Sequence, residues 1–167
     1  MIWNHKLETM NLEYIFSEAQ KVYDEFDREE WGRQCYGWRG ERVERIIAKS
    51  TPGLAYVGNK DNPPGDFLHT DGTLYESKCV KNAFKITKRG IRIPPITIKN
   101  FRRNQYETTF DNKKMIVWDI ERKGVAMFTP ETVQKHSKQC DSNVTTELPF
   151  DEAIESVLLN EQLPFLL

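Results

Sequence analysis

Apolar side chains recur along the first part of the chain at Leu12, Ile15, Phe16, Ala19, Val22, Tyr23 and Phe26. Steps of three and four residues put them on one stripe, so the spacing predicts an amphipathic helix from Asn11 to Trp31 with that stripe buried. A glycine-rich corner follows at Gly32, Gly37 and Gly40. The segment GERVERIIAKS, Gly40 to Ser50, returns to helical spacing with Val43, Ile46 and Ile47 on one face, and Pro52-Gly53 ends it. The pattern then shortens. LAYVG, from Leu54, reads as a strand and NKDNPPG, from Asn59, as a loop. GDFLHTDGTLYESKC, Gly65 to Cys79, reads as a hairpin, and so does Met115 to Phe128, turning at Arg122-Lys123-Gly124. Thr129 is placed to cap a further helix with Pro130 in its first turn. PFDEAIESVLLN, Pro149 to Asn160, is expected to form the last helix. This order predicts an α/β fold, a central mixed β-sheet flanked by α-helices.

The length of 167 residues suits one domain with a real core. The expected division is an N-terminal helical segment at about residues 1–35, a core at about 40–135 and C-terminal helices at about 130–160. No apolar run approaches the roughly 20 residues that span a bilayer, and no signal sequence opens the chain, so no membrane partner is expected. Cys35, Cys79 and Cys140 are odd in number and widely spaced, which argues against a disulfide framework and fits a reducing cytoplasm. His136 and Cys140 lack the second ligand pair of a zinc site.

The hairpin carries an anomaly. Asp66, Glu76 and Lys78 interrupt a short hydrophobic ribbon. If Thr70-Asp71-Gly72 is a three-residue turn with Gly72 left-handed, residue 66 falls opposite 76, with Cβ atoms about 5 Å apart. Lys78, two residues on, shares that face. A two-residue turn would instead oppose Asp66 to Ser77 and split the group; glycine at the third loop position favours the first arrangement. Two carboxylates that close repel unless a proton or cation separates them. Mg²⁺ suits carboxylate oxygens, with Mn²⁺ as a substitute, and such an ion grips phosphate and acidifies bound water. Lys78 would then stabilise charge building on a phosphoryl group and help orient or activate the attacking water, as a cation or, if neutral, as a base. The bland alternative is a surface ion pair worth under about 1 kcal/mol. The pattern acid-x-lysine occurs three times, but Asp111-Asn112-Lys113 has no acid in a preceding hairpin strand and Glu121-Arg122-Lys123 falls in a tight turn.

Net charge is only −1, yet it is unevenly spread. Residues 78–114 hold eleven basic and two acidic side chains, against 13 basic and 23 acidic in the remainder. Such a stretch points to a polyanion, and the interspersed Asn82, Asn100, Phe101, Asn104, Gln105 and Tyr106 can touch bases or sugars. The candidates for nucleic-acid contact are Lys81, Asn82, Lys85, Lys88, Arg89, Arg92, Arg102 and Arg103.

Asp66, nine intervening residues, then Glu76-Ser77-Lys78 resembles the PD-(D/E)XK nuclease signature. Small type II restriction endonucleases are the nearest likeness, over about residues 40–133. The family's proline before the first aspartate is Gly65 here, with Pro64 one residue early. The resemblance implies a restriction-endonuclease-like sheet, Mg²⁺-dependent hydrolysis of double-stranded DNA at a specific site, and a homodimer. It also makes Arg89 and Arg92, after the catalytic strand, the first choices for reading guanine. RGERVERII resembles a helix found in many nucleases of the superfamily, Holliday-junction resolvases among them, whose glutamate reaches the metal site. Glu44 matches that position; its alternative is pairing with Arg45 or Lys49. The rival functions are a junction resolvase or repair nuclease of the same superfamily and a non-catalytic DNA-binding protein.

Overall fold

A computed structural model describes residues 6–28, 36–60, 65–80, 85–86, 90–93, 113–137 and 146–159. A 3-10 turn at Leu7–Thr9 precedes α1 (Leu12–Arg28). Asn11 caps it, its Oδ1 accepting the N–H of Tyr14 at 3.3 Å. All seven apolar residues of the predicted stripe are buried. The second helix, α2 (Tyr36–Ser50), starts four residues before Gly40, so Gly37 and Gly40 lie inside a helix and not in a corner. The added turn has a packing partner: Arg39 is buried with its guanidinium 4.2 Å from the Tyr23 ring centroid on α1.

Six strands form the main sheet in the order β1-β2-β3-β6-β7-β9. They are β1 (Leu54–Tyr56), β2 (Phe67–His69), β3 (Leu74–Val80), β6 (Lys113–Asp119), β7 (Gly124–Phe128) and β9 (Glu155–Leu158). The β3–β6 pair is parallel and every other pair antiparallel, which makes the sheet mixed. A smaller sheet joins β4 (Lys85–Ile86), β5 (Gly90–Ile93) and β8 (Thr146–Pro149). Gly90 is required there: a Cβ on it would come within 2.0 Å of the Leu148 carbonyl oxygen.

Both faces of β6 and β7 are covered. On one face α1 and α2 pack against Phe67, Tyr75, Ile116, Trp118, Val125 and Met127, with Phe16 edge-on to Trp118 at 5.9 Å. On the other, Met115, Val117, Ala126 and Phe128 meet Val133 and Leu148. Val133 belongs to α3 (Pro130–Ser137), whose start is the expected one: Thr129 Oγ1 accepts the N–H of Thr132 at 3.2 Å, and Pro130 is the first residue. The α/β architecture, a mixed sheet with helices, is as the pattern predicts.

The segment expected to form the last helix does not. Pro149 ends β8, Phe150–Glu152 make a single 3-10 turn, and Glu155–Leu158 are β9. The open edge of β7 decides this. Ile154 donates its N–H to Met127 O at 2.8 Å and Leu159 to Lys123 O at 2.9 Å, so the segment closes a row of backbone groups that a helix would leave unpaired. Among the described residues no helix is long and apolar enough to cross a membrane.

Candidate active site

The hairpin turn is the three-residue one. His69 donates its N–H to the Thr73 carbonyl at 2.9 Å, Gly72 donates to the His69 carbonyl at 2.9 Å, and Gly72 has φ +90°. Asp71 supports it from within, its Oδ1 accepting the Thr73 N–H at 2.9 Å, and Oδ2 takes the Lys6 ammonium at 2.9 Å. The register follows: Leu68 opposite Leu74, Phe67 opposite Tyr75. Regular pairing then stops. Asp66 donates its N–H to Tyr75 O at 2.9 Å, one residue short of Glu76, and its Oδ2 accepts the Ser77 N–H at 2.8 Å. Asp66 is therefore pinned to the β3 backbone at the end of β2, a tighter arrangement than the plain opposition of 66 and 76.

Glu76 and Lys78 alternate with buried Tyr75 and Ser77 along β3. Parallel pairing sets Glu76 beside Met115 and Lys78 beside Val117, so both lie on the face away from α1 and α2. Lys78 Nζ stands 3.3 Å from Glu76 Oε1. A second ammonium, Lys113 Nζ, stands 3.4 Å from Glu76 Oε2, with its side chain only 4% exposed. Lys113 is absent from the residues that the sequence brings forward. Its own acid-x-lysine pattern has no acid in a preceding hairpin strand, and only the β3–β6 pairing, across more than thirty residues, brings it to Glu76.

Glu44 approaches from α2. Neither expected partner occupies it: Arg45 bonds Glu41 at 2.9 Å and lies 4.5 Å over the Tyr56 ring, and among the described residues Glu44 has no hydrogen bond or ion pair. Burial, and after it the Asp66 charge, push its carboxyl up to about 9 against the pull of Lys78, with Glu76 adding to the rise. Asp66 is raised to about 6, first by burial and then by Glu76, while the Ser77 N–H, Lys78 and Lys113 hold it down. Burial alone would lower the Lys78 pKa, but Glu76, Asp66 and Glu44 outweigh it and the net shift is upward. At neutral pH Glu44 is thus protonated and Lys78 charged. Asp66 is the joint of the group: it feels Glu76 on one side and acts on Glu44 on the other. Cys79, below this layer, has its thiol pushed up by burial and then by Glu44, so it remains a thiol.

Asp66 and Glu76 fit a hard divalent ion as a donor set. Among the described residues no cluster of three or more His, Cys, Asp or Glu closes into a cage. Mg²⁺ is bound through one or two carboxylates together with waters and substrate phosphates, so Asp66 and Glu76 are the residues that could hold it. Burial first, and then the Glu76 charge, raise Asp66, and a cation beside it would offset both.

Of the residues proposed for DNA contact, Lys81, Asn82, Lys88, Arg89, Arg102 and Arg103 lie outside the described residues. Lys85 on β4 and Arg92 on β5 are cross-strand partners, and Glu147 on β8 is opposite Arg92. In the next register position Ile86, Ile91 and buried Leu148 are cross-strand partners. His136 pairs with Glu152, and Cys140 lies outside the described residues. In comparisons with known proteins, no family model and no curated protein matches this chain.

Proposed function

We propose that the chain is a Mg²⁺-dependent endonuclease of the PD-(D/E)XK kind, a type II site-specific deoxyribonuclease acting on double-stranded DNA as a homodimer. One observation carries the reading: Asp66 Oδ2 is fixed by the Ser77 N–H at 2.8 Å, next to a Glu76 carboxylate that Lys78 flanks at 3.3 Å, and Glu44 on α2 feels the Asp66, Lys78 and Glu76 charges. A surface ion pair between Glu76 and Lys78 would need neither Asp66 pinned by a backbone N–H nor a Glu44 carboxyl within reach of the Asp66 charge.

Asp66 and Glu76 would hold the ion. Bound Mg²⁺ supplies neutralisation of the scissile phosphate and a lower pKa for the attacking water. The remaining work belongs to the chain. Lys78, charged at neutral pH, stabilises the extra negative charge of the transition state and is not the base. Protonated Glu44 adds no repulsion to an incoming phosphate and offers a hydrogen-bond donor beside Asp66. The basic residues between Lys81 and Arg103, Lys85 and Arg92 among them, bind the duplex electrostatically.

Digestion of supercoiled plasmid DNA with Mg²⁺ tests this. Discrete fragments are expected. Nicking confined to four-way junctions would assign the site to a resolvase, and DNA retention without cleavage would make the chain a binding module.

A further inference from the structure

Lys113 is the first residue of β6, beside Leu74 in the parallel register and therefore on the face of Glu76 and Lys78. One two-residue step along a strand is about 7 Å, within the span of a lysine stem, so this position is placed to reach the Glu76 carboxylate. A buried ammonium persists only when paired. Here the pairing leaves each Glu76 oxygen facing one lysine, Oε1 facing Lys78 and Oε2 facing Lys113. The two lysines differ in setting. Lys78 is 26% exposed and Lys113 4%. The open one is available to a substrate phosphate and the closed one is not.

We propose that Lys113 is a positioning residue of this site: its buried ammonium aims the Glu76 carboxylate through Oε2 and acts as the counter-charge with which a divalent ion competes. The inference rests on the reading of Asp66 and Glu76 as metal ligands. It gives the lysine two opposite effects, slowing the chemistry when lost and weakening cation binding while present. A strand-end ion pair with a purely structural role has no such signature; its loss would loosen the site and weaken both.

The test is a Mn²⁺ titration by calorimetry on the protein without DNA, for wild type, Lys113→Met and Lys113→Arg, with single-turnover plasmid cleavage at saturating Mn²⁺. Methionine keeps the stem and removes the charge; arginine keeps the charge. Lys113→Met is expected to bind Mn²⁺ about tenfold more tightly, the scale set by removing one like charge at short range in a partly buried site. Its cleavage rate should fall at least about tenfold, the scale of a misaimed ligand. Lys113→Arg should match wild type in affinity and recover part of the rate, which also shows that the position tolerates change. Unchanged or weaker Mn²⁺ binding by Lys113→Met, beside an active wild type, overturns this inference alone. A wild type that binds Mn²⁺ without cutting any DNA, with the tighter binding still seen in Lys113→Met, sinks the nuclease reading and upholds the inference. A wild type that binds no Mn²⁺ sinks both.

Discussion

Replacing Glu44 with glutamine should stabilise the protein, and more so as the pH rises. Burial and the Asp66 charge lift this carboxyl from its ordinary 4.5 to about 9 in the folded state. Between those values the folded protein keeps a proton that the unfolded chain gives up, so raising the pH favours unfolding. The stability is fully present below pH 4.5 and is lost as pH rises through the folded value of about 9. The slope is about 1.4 kcal/mol per pH unit, so about 3 kcal/mol is gone by pH 7. Glutamine has nearly the same shape and does not titrate. Burying its amide without a partner costs about 1 kcal/mol, leaving a net gain of about 2 kcal/mol at pH 7 and more at pH 9. Asp66, raised to about 6, adds a slope at lower pH that both proteins share. Urea unfolding at pH 5, 7 and 9 with a chelator present measures the difference. Curves that stay parallel across the three values, or a variant less stable at all of them, would refute the burial and repulsion assigned to Glu44.

Gly90→Ala should destabilise the protein by about 2–4 kcal/mol, because the new methyl meets the Leu148 carbonyl and forces β5 from β8; an unchanged urea midpoint would contradict that close approach. Lys78→Ala should lose several orders of magnitude in single-turnover cleavage with little change in DNA affinity, while Lys78→Arg keeps partial activity because the role is a charge and not a base; normal cleavage by the alanine variant would make the motif a coincidence. Arg92→Ala and Arg89→Ala should each either lower the salt slope of DNA binding by about one or relax specificity at one base pair by about 1–3 kcal/mol; no effect in either variant would leave the basic stretch a solvated face.

Local periodicity carries much of this fold. The α1 stripe is buried residue for residue, and Gly72 sits at the left-handed position of the three-residue turn that sets Phe67 opposite Tyr75. Both signals are short-range, set by the helical repeat and by one left-handed glycine. Residues 149–160 mislead because Phe150, Ala153, Ile154 and Val157 fit a helical stripe as well as a strand, and the open edge of β7, distant in sequence, settles the outcome. Lys113 is hidden for the same reason. Its partner Glu76 lies on another strand, and parallel pairing leaves no local trace. Glu44 is legible only through a resemblance, since helical spacing puts it at the edge of the buried face and says nothing of Asp66. The upward shift at Asp66 comes from burial and then Glu76, that at Glu44 from burial and then Asp66, and both require the folded chain.

Single-turnover cleavage of plasmid DNA in Mg²⁺, run beside a binding assay on the same DNA, tests the central claim most directly when wild type is compared with Asp66→Asn and Glu76→Gln. Each substitution removes a proposed metal ligand and one of the negative charges that repel phosphate. The account predicts cleavage by wild type, none by either variant, and DNA binding that is intact or tighter in both. Cleavage by either variant at close to the wild-type rate would contradict it.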